Sequence, residues 1–194
     1  MEEILNHDPL RDRLIIAGIA EIEQHGIAGF SLRRVAAACN TSCAAPYKHF
    51  KNKDDLILEI IRYVNRQWEL LRDQILSLHM GEPMERIVEV CVAYIRFWVA
   101  NPNYRFALKA PGKEYNASKF SEKPNDEKTI ENLIRAYCAG NQVEFEETER
   151  MVYAVKAILY GMTAMLDDGE LQNKPQTYEN VRKTLRIELN IYRT

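Results

Sequence analysis

The sequence predicts an all-α fold, and three observations carry that reading. Apolar residues recur at helical spacing from end to end, and no stretch of strict apolar/polar alternation stands out. Glycine (8) and proline (7) are scarce in a chain of 194 residues, which argues against turn-dense β architectures. With 46% hydrophobic and 28% charged residues, the composition is that of a globular chain able to bury a core, in one large domain or a small one plus a larger one.

A first helix is expected from Pro9 to His25, with Leu14, Ile15, Gly18, Ile19 and Ile22 on its apolar face. Pro9 suits a first helical turn, and Gly26 supplies the left-handed stop. Ser31 precedes the apolar run Leu32, Val35, Ala36 and reads as an N-cap. Cys39-Asn40-Thr41-Ser42 breaks that second helix, since Asn tolerates the left-handed conformation, and a short helix over about Cys43–Phe50 follows. Asn52, with Asp55 three residues on, opens a long helix to about Leu78. Gly81 and Pro83 punctuate the chain before a helix from about Met84 to Ala100, ended by Asn101-Pro102. The stretch from Lys109 to Asn125 reads as a loop, and helices are expected over about Asp126–Ala139, Glu147–Asp167 and Thr177–Tyr192.

Composition excludes several function classes. A net charge of −2 announces no global affinity for nucleic acid or membrane, so any such signal must be local. Four cysteines (Cys39, Cys43, Cys91, Cys138) are too few and scattered for a disulfide scaffold. The opening residues lack an apolar signal core, and Ile87–Ala100 is too short and too charged to span a bilayer, so the expectation is a reduced, cytoplasmic protein without a membrane partner. The histidines at 7, 25, 49 and 79 are never at metal-ligand spacing, and no phosphate loop, nucleophile elbow or dinucleotide fingerprint occurs. No metal, no cofactor and no enzymatic activity are therefore expected. Cys39 and Cys43, four apart, straddle a turn and read as inert small residues.

One window is informative. Between Ser31 and Lys53 lie Arg33, Arg34, Lys48, Lys51 and Lys53 without a single acid, while carboxylates flank the window at Glu21, Glu23, Asp54 and Asp55. The cations surround two short helices joined by a tight turn, and the second carries small residues, Ala44 and Ala45, beside Tyr47 and His49. A helix entering the major groove needs a slim face for the base edges and flanking cations and hydroxyls for the phosphates. That is the geometry of a helix-turn-helix reader.

The stretch FSLRRVAAACNTSCAAPYKHFKNKDDL resembles the DNA-binding signature of the TetR family of transcriptional regulators, most specifically in Tyr47-x-His49-Phe50 followed by Lys53-Asp54-x-Leu56. The Ala-Pro-Tyr run is similar to one AcrR-like subgroup. The resemblance implies a DNA-binding domain over residues 8–68 and an effector-binding and dimerisation domain over residues 69–194, the helical bundle that dimerises. Ser31 would cap the second helix and touch phosphate, joined by Arg33 and Arg34. Thr41, Ser42, Cys43, Ala44, Ala45, Pro46, Tyr47, Lys48 and His49 would form the recognition element, and Lys53 would hold a phosphate at a helix N-terminus. Asn40 and Ala44 stand where the family usually has glycine.

By the same resemblance, the partners are a double-stranded operator, a second copy of the chain and an unidentified small-molecule effector. Trp68, Tyr94, Trp98, Phe106, Tyr137 and Met162 are candidates for lining the effector site. Val152, Val155, Leu159 and Met162 on one helix, and Val181, Leu185 and Leu189 on the last, are candidates for the dimer interface. Gly161 would allow close helix approach there. A palindromic operator bound by a repressor and released by the effector is the expected function. The alternatives are a ligand-independent regulator or activator of the same family, or an all-helical scaffold whose basic window is only a solvated face.

Overall fold

A computed structural model describes residues 9–102 and 126–190; the expected loop and Phe106 lie outside the described residues, and the last helix stops at Glu188, short of the expected Tyr192. Every regular element among the described residues is helical. The helices are α1 (Pro9–His25), α2 (Leu32–Ala38), α3 (Lys53–Leu78), α4 (Pro83–Ala100), α5 (Asp126–Gly140), α6 (Phe145–Asp167) and α7 (Pro175–Glu188). A single 3-10 turn, Pro46–Lys48, lies between α2 and α3.

Local chemistry sets the ends of these elements. Gly26 follows α1 at φ +64, a conformation that spares it the Cβ clash other residues would meet, and its N–H donates to the Ile22 carbonyl at 2.8 Å. Asn52 caps α3: its Oδ1 accepts from Asp55 N–H at 2.9 Å, and Asp55 Oδ2 accepts from Lys51 N–H at 2.8 Å. Prolines stand in the first turns of α4 and α7, where a missing N–H leaves no intrahelical bond unmade.

The described chain divides into two compact units, residues 9–67 and residues 68–102 with 126–190. In the first, Leu14, Ile22, Val35, Ala36, Phe50, Leu56 and Ile60 are buried in one apolar core. Each large side chain among them contributes about 1.5–3 kcal/mol on full burial. Gly18 lets α1 lie close to α3, since a Cβ there would stand 2.4 Å from Ile60 Cδ1. In the second unit α4 is the centre: it packs against α5, α6 and α7, and α6 also packs against α5 and α7. Its buried run from Ile87 to Ile95 explains why that segment reads as nearly continuous hydrophobic sequence. Two ion pairs tie α4 to α7: Arg182 bonds both oxygens of Glu89 at 2.6 and 2.8 Å, and Arg186 bonds both oxygens of Glu85 at 2.8 Å. Among the described residues no helix is long and apolar enough to cross a membrane.

Candidate nucleic-acid interface

The basic window folds around two well-determined ends. Ser31 sits in extended conformation, and its hydroxyl accepts from Arg34 N–H at 3.4 Å, starting α2. At the other end Asn40 adopts φ +53, with Asn40 N–H bonding the Ala37 carbonyl at 3.0 Å and Thr41 N–H bonding Ala36 at 3.1 Å. This paired cap satisfies the last carbonyls of α2 and turns the chain sharply. Asn tolerates this left-handed position better than most residues, which suits it to this corner. Arg13 Nη2 reinforces the corner by donating to the Cys39 carbonyl at 2.6 Å.

The segment after the corner departs from expectation. Instead of a short α-helix over Cys43–Phe50, a turn leads into the 3-10 turn Pro46–Lys48. Ala45 N–H bonds Ser42 at 2.9 Å, and Tyr47, Lys48 and His49 bond the carbonyls three residues back at 3.2, 3.1 and 3.0 Å. Pro46 has no N–H with which to reach Ser42, so the first α-type bond that such a helix would need is missing. The tighter i to i+3 pattern takes its place.

This geometry sorts the predicted residues. Ser42, Cys43, Ala44, Tyr47 and Lys48 are exposed, Tyr47 to 59%, and Thr41 and His49 are half-buried. The His49 ring tilts against buried Phe50 at 6.2 Å. Arg33 is exposed on α2, and Lys53, half-buried at the first position of α3, lies over the Phe30 ring at 5.9 Å. Two candidates turn inward and a third is engaged by a carboxylate. Ala45 and Pro46 are buried, packing the turn onto the unit's own core, so they present nothing to a base edge. Arg34 is held by Glu21, with Nε at 2.9 Å and Nη2 at 2.5 Å from Oε1, and Nη2 also donates to the Gly29 carbonyl at 2.6 Å.

Glu21 is the residue that sequence reasoning missed. It is buried, and it also accepts the Ser31 backbone N–H at 3.0 Å, so one carboxylate fixes both Arg34 and the α2 cap. Burial alone would raise its pKa. The hydrogen bonds from Arg34 and Ser31, with the charges of Arg34 and His25, outweigh burial and hold Glu21 below the ordinary carboxylate value. A signal was present: Glu21 lies on the stripe of Leu14, Gly18 and Ile22, where an acid needs a partner. Lys51, exposed beside the turn, joins the positive rim. Cys39 is buried, and burial raises its thiol pKa, whereas Cys43 is exposed.

The other predicted sets are placed as follows. Buried Trp68, Tyr94 and Trp98 converge with half-buried Phe97 into one aromatic cluster, with ring centroids 5.7 Å apart for Trp68–Tyr94 and 6.1 Å for Tyr94–Trp98. Tyr137 and Met162 are half-buried on α5 and α6. The expected interface residues Val152, Val155, Leu159, Val181, Leu185 and Leu189 are all buried within the single chain. They pack α6 and α7 onto α4 and onto each other, so that stripe is core, and a partner helix cannot reach it. What these helices leave exposed is Phe145, Tyr153, Tyr160 and Ile187, with open space around Gly161.

Comparison with known proteins follows the same division. Residues 14–60 match the family model described as bacterial regulatory proteins, tetR family. A probable acrEF/envCD operon repressor of Escherichia coli K12 is 28% identical over 137 residues, covering 71% of this chain and 59% of that protein. The chain thus spans less than two thirds of that relative. A protein of unknown function from Rhodococcus sp. RHA1 superposes with a TM-score of 0.74 at 19% identity over 97% of both chains. A TetR/AcrR-family transcriptional regulator from Thermobifida fusca gives 0.69 at 18% identity, covering 96% of this chain and 100% of that one.

Proposed function

We propose that the chain is a DNA-binding repressor of the TetR/AcrR type, a reading supported by the match of residues 14–60 to the model of bacterial regulatory proteins, tetR family, and by the similarity to an operon repressor. In this reading it binds a palindromic operator as a homodimer and is released by a small molecule. The observation that carries the reading is the exposed turn of Ser42–Ala44, Tyr47 and Lys48, in a window that also holds Arg33, Lys51 and Lys53 and no acid. Small side chains let the backbone approach base edges, Tyr47 and the hydroxyls can bond phosphate or base, and the cations neutralise the duplex. In this reading Ser31, at the α2 cap, would also touch phosphate.

Residues 8–68 form the DNA-binding part in this proposal, and residues 69–194 dimerise and take the effector. The exposed face of α6, Tyr153, Tyr160 and Gly161, with Ile187 of α7, supports pairing of two copies through these helices. The Trp68–Tyr94–Trp98 cluster favours an apolar or aromatic effector. The unbroken helix α3, Lys53–Leu78, would carry a packing change at Trp68 toward the DNA-binding turn. No catalytic role is proposed, and the place of action is where the chromosome is, in the cytoplasm.

Selection of bound sites from random duplex DNA tests the proposal. Enrichment of an inverted repeat, with half-sites about one helical turn or a multiple apart, is the expected result. A bound pool without any enriched sequence would contradict it.

A further inference from the structure

Arg86, in the first turn of α4, lines a pocket of about 320 Å³ whose other walls include Leu133, Ala136, Tyr137 and Gly140 of α5. Its Nε is buried without a hydrogen-bond partner, and its side chain makes no hydrogen bond or ion pair with any described residue. A half-buried guanidinium in that state is unusual, because it has given up part of its hydration without compensation. Two ordinary explanations fail on the geometry.

The first would be a neighbouring acid. Three glutamates lie within one turn of Arg86 along the helix, and none of them bonds it. Glu85 is held by Arg186 and Glu89 by Arg182, both through two bonds, and Glu82 stands 3.7 Å from His79 Nδ1. The second would be the carbonyls at the end of α5, which a cation often satisfies. The chain caps them itself. Asn141 Nδ2 takes the Tyr137 carbonyl at 2.8 Å, Asn141 and Val143 N–H take Cys138 at 3.1 and 3.0 Å, and Gln142 N–H takes Ala139 at 3.2 Å.

We propose that this pocket binds a small organic carboxylate, its charge on Arg86 and its apolar body against Leu133, Ala136 and the Tyr137 ring. The planar guanidinium suits a carboxylate better than a neutral polar group, because two parallel bonds form at once. The volume falls at the small end of ligand pockets, which sets the size at one ring or a short chain. Of the described residues nominated from sequence for an effector, Tyr137 alone lines this pocket, and the inference does not depend on DNA binding.

Benzoate is the probe, followed by ligand-observed NMR on the full chain. A body of this size with one charge pair predicts saturable binding with a dissociation constant of about 1 mM or tighter. The neutral isostere benzamide should bind the same protein about tenfold more weakly or worse, a comparison that needs no variant. Arg86→Met should lose about the same factor for benzoate. Gly140→Leu fills open space beside the pocket, keeps a helix-compatible residue and should block benzoate with Arg86 intact. No saturable benzoate binding, equal binding of benzamide, or undiminished binding by both folded variants would overturn the proposal.

Discussion

Arg34 grips the buried carboxylate of Glu21 through its Nε and Nη2, and that same carboxylate accepts the backbone N–H of Ser31. The basic window therefore contains a cation whose work is internal: it joins α1 to the start of α2. Arg33, one residue before it, is exposed. The two arginines should separate cleanly in experiment. Arg34→Ala should lower the melting temperature, because a buried carboxylate loses its partner. Arg33→Ala should leave the melting temperature unchanged and weaken binding to all duplexes alike. Thermal unfolding and binding to a fixed duplex, read on both variants, distinguish the roles; equal stability of the two would refute the assignment.

The α4–α7 ion pairs should contribute to acid sensitivity. The hydrogen bonds of Arg186 and Arg182, against an opposing effect of burial, hold Glu85 and Glu89 below their ordinary value of 4.5. A depressed folded pKa adds stability that is fully present above the unfolded value and disappears as pH falls through the folded one. The melting temperature should thus drop as pH falls below 4.5, and Glu89→Gln should be less stable than wild type at pH 7. That deficit should shrink in acid. A deficit independent of pH would mean that the pair contributes only packing.

Gln142 adopts φ +57 after α5, a left-handed position without glycine, whereas Asn40 at φ +53 is a residue suited to it. Gln142→Gly should stabilise by about 1 kcal/mol, a melting shift of roughly 2–4 °C for a chain of this size. Asn40→Gly should change stability by only roughly a few tenths of a kcal/mol. A loss of stability for Gln142→Gly would show that its side chain holds the turn.

Much of this architecture is legible in the sequence because its signals are local. The caps at Ser31 and Asn52, the stop at Gly26 and the stripes of α3 and α4 all act within a few residues. The misreadings concern non-local facts. Periodicity finds the stripe of Val155 and Leu159 but cannot say that α4 of the same chain covers it. The exposed set of Tyr153, Tyr160 and Ile187 looks unremarkable until that cover is known. Counting charges cannot reveal that Glu21, thirteen residues upstream, claims Arg34. Pro46 was visible, yet its effect depended on whether a longer helix would compensate for the missing N–H, and here the segment is too short.

The dimer proposal gains a specific test from this correction. Tyr160→Arg places a charge on the exposed face of α6, 48% accessible in the single chain. It should yield a folded monomer by light scattering, with helicity intact. Leu159→Ala, a core truncation, should instead lower stability by about 2–5 kcal/mol while the folded fraction keeps its association state. A stable Tyr160→Arg dimer would reject this face as the interface.

The central claim is that the surface from Ser31 to Lys53 reads base sequence. The most direct test is the affinity ratio between an enriched operator and a scrambled duplex, measured by fluorescence anisotropy at fixed salt for wild type and Tyr47→Ala. Wild type should favour the operator by about a thousandfold or more, with log affinity falling against log salt at a slope of roughly −4 to −7. Tyr47→Ala should weaken operator binding while the folded fraction stays constant, since Tyr47 is exposed. A wild-type ratio near one, at a salt concentration where both duplexes still bind, would contradict the account.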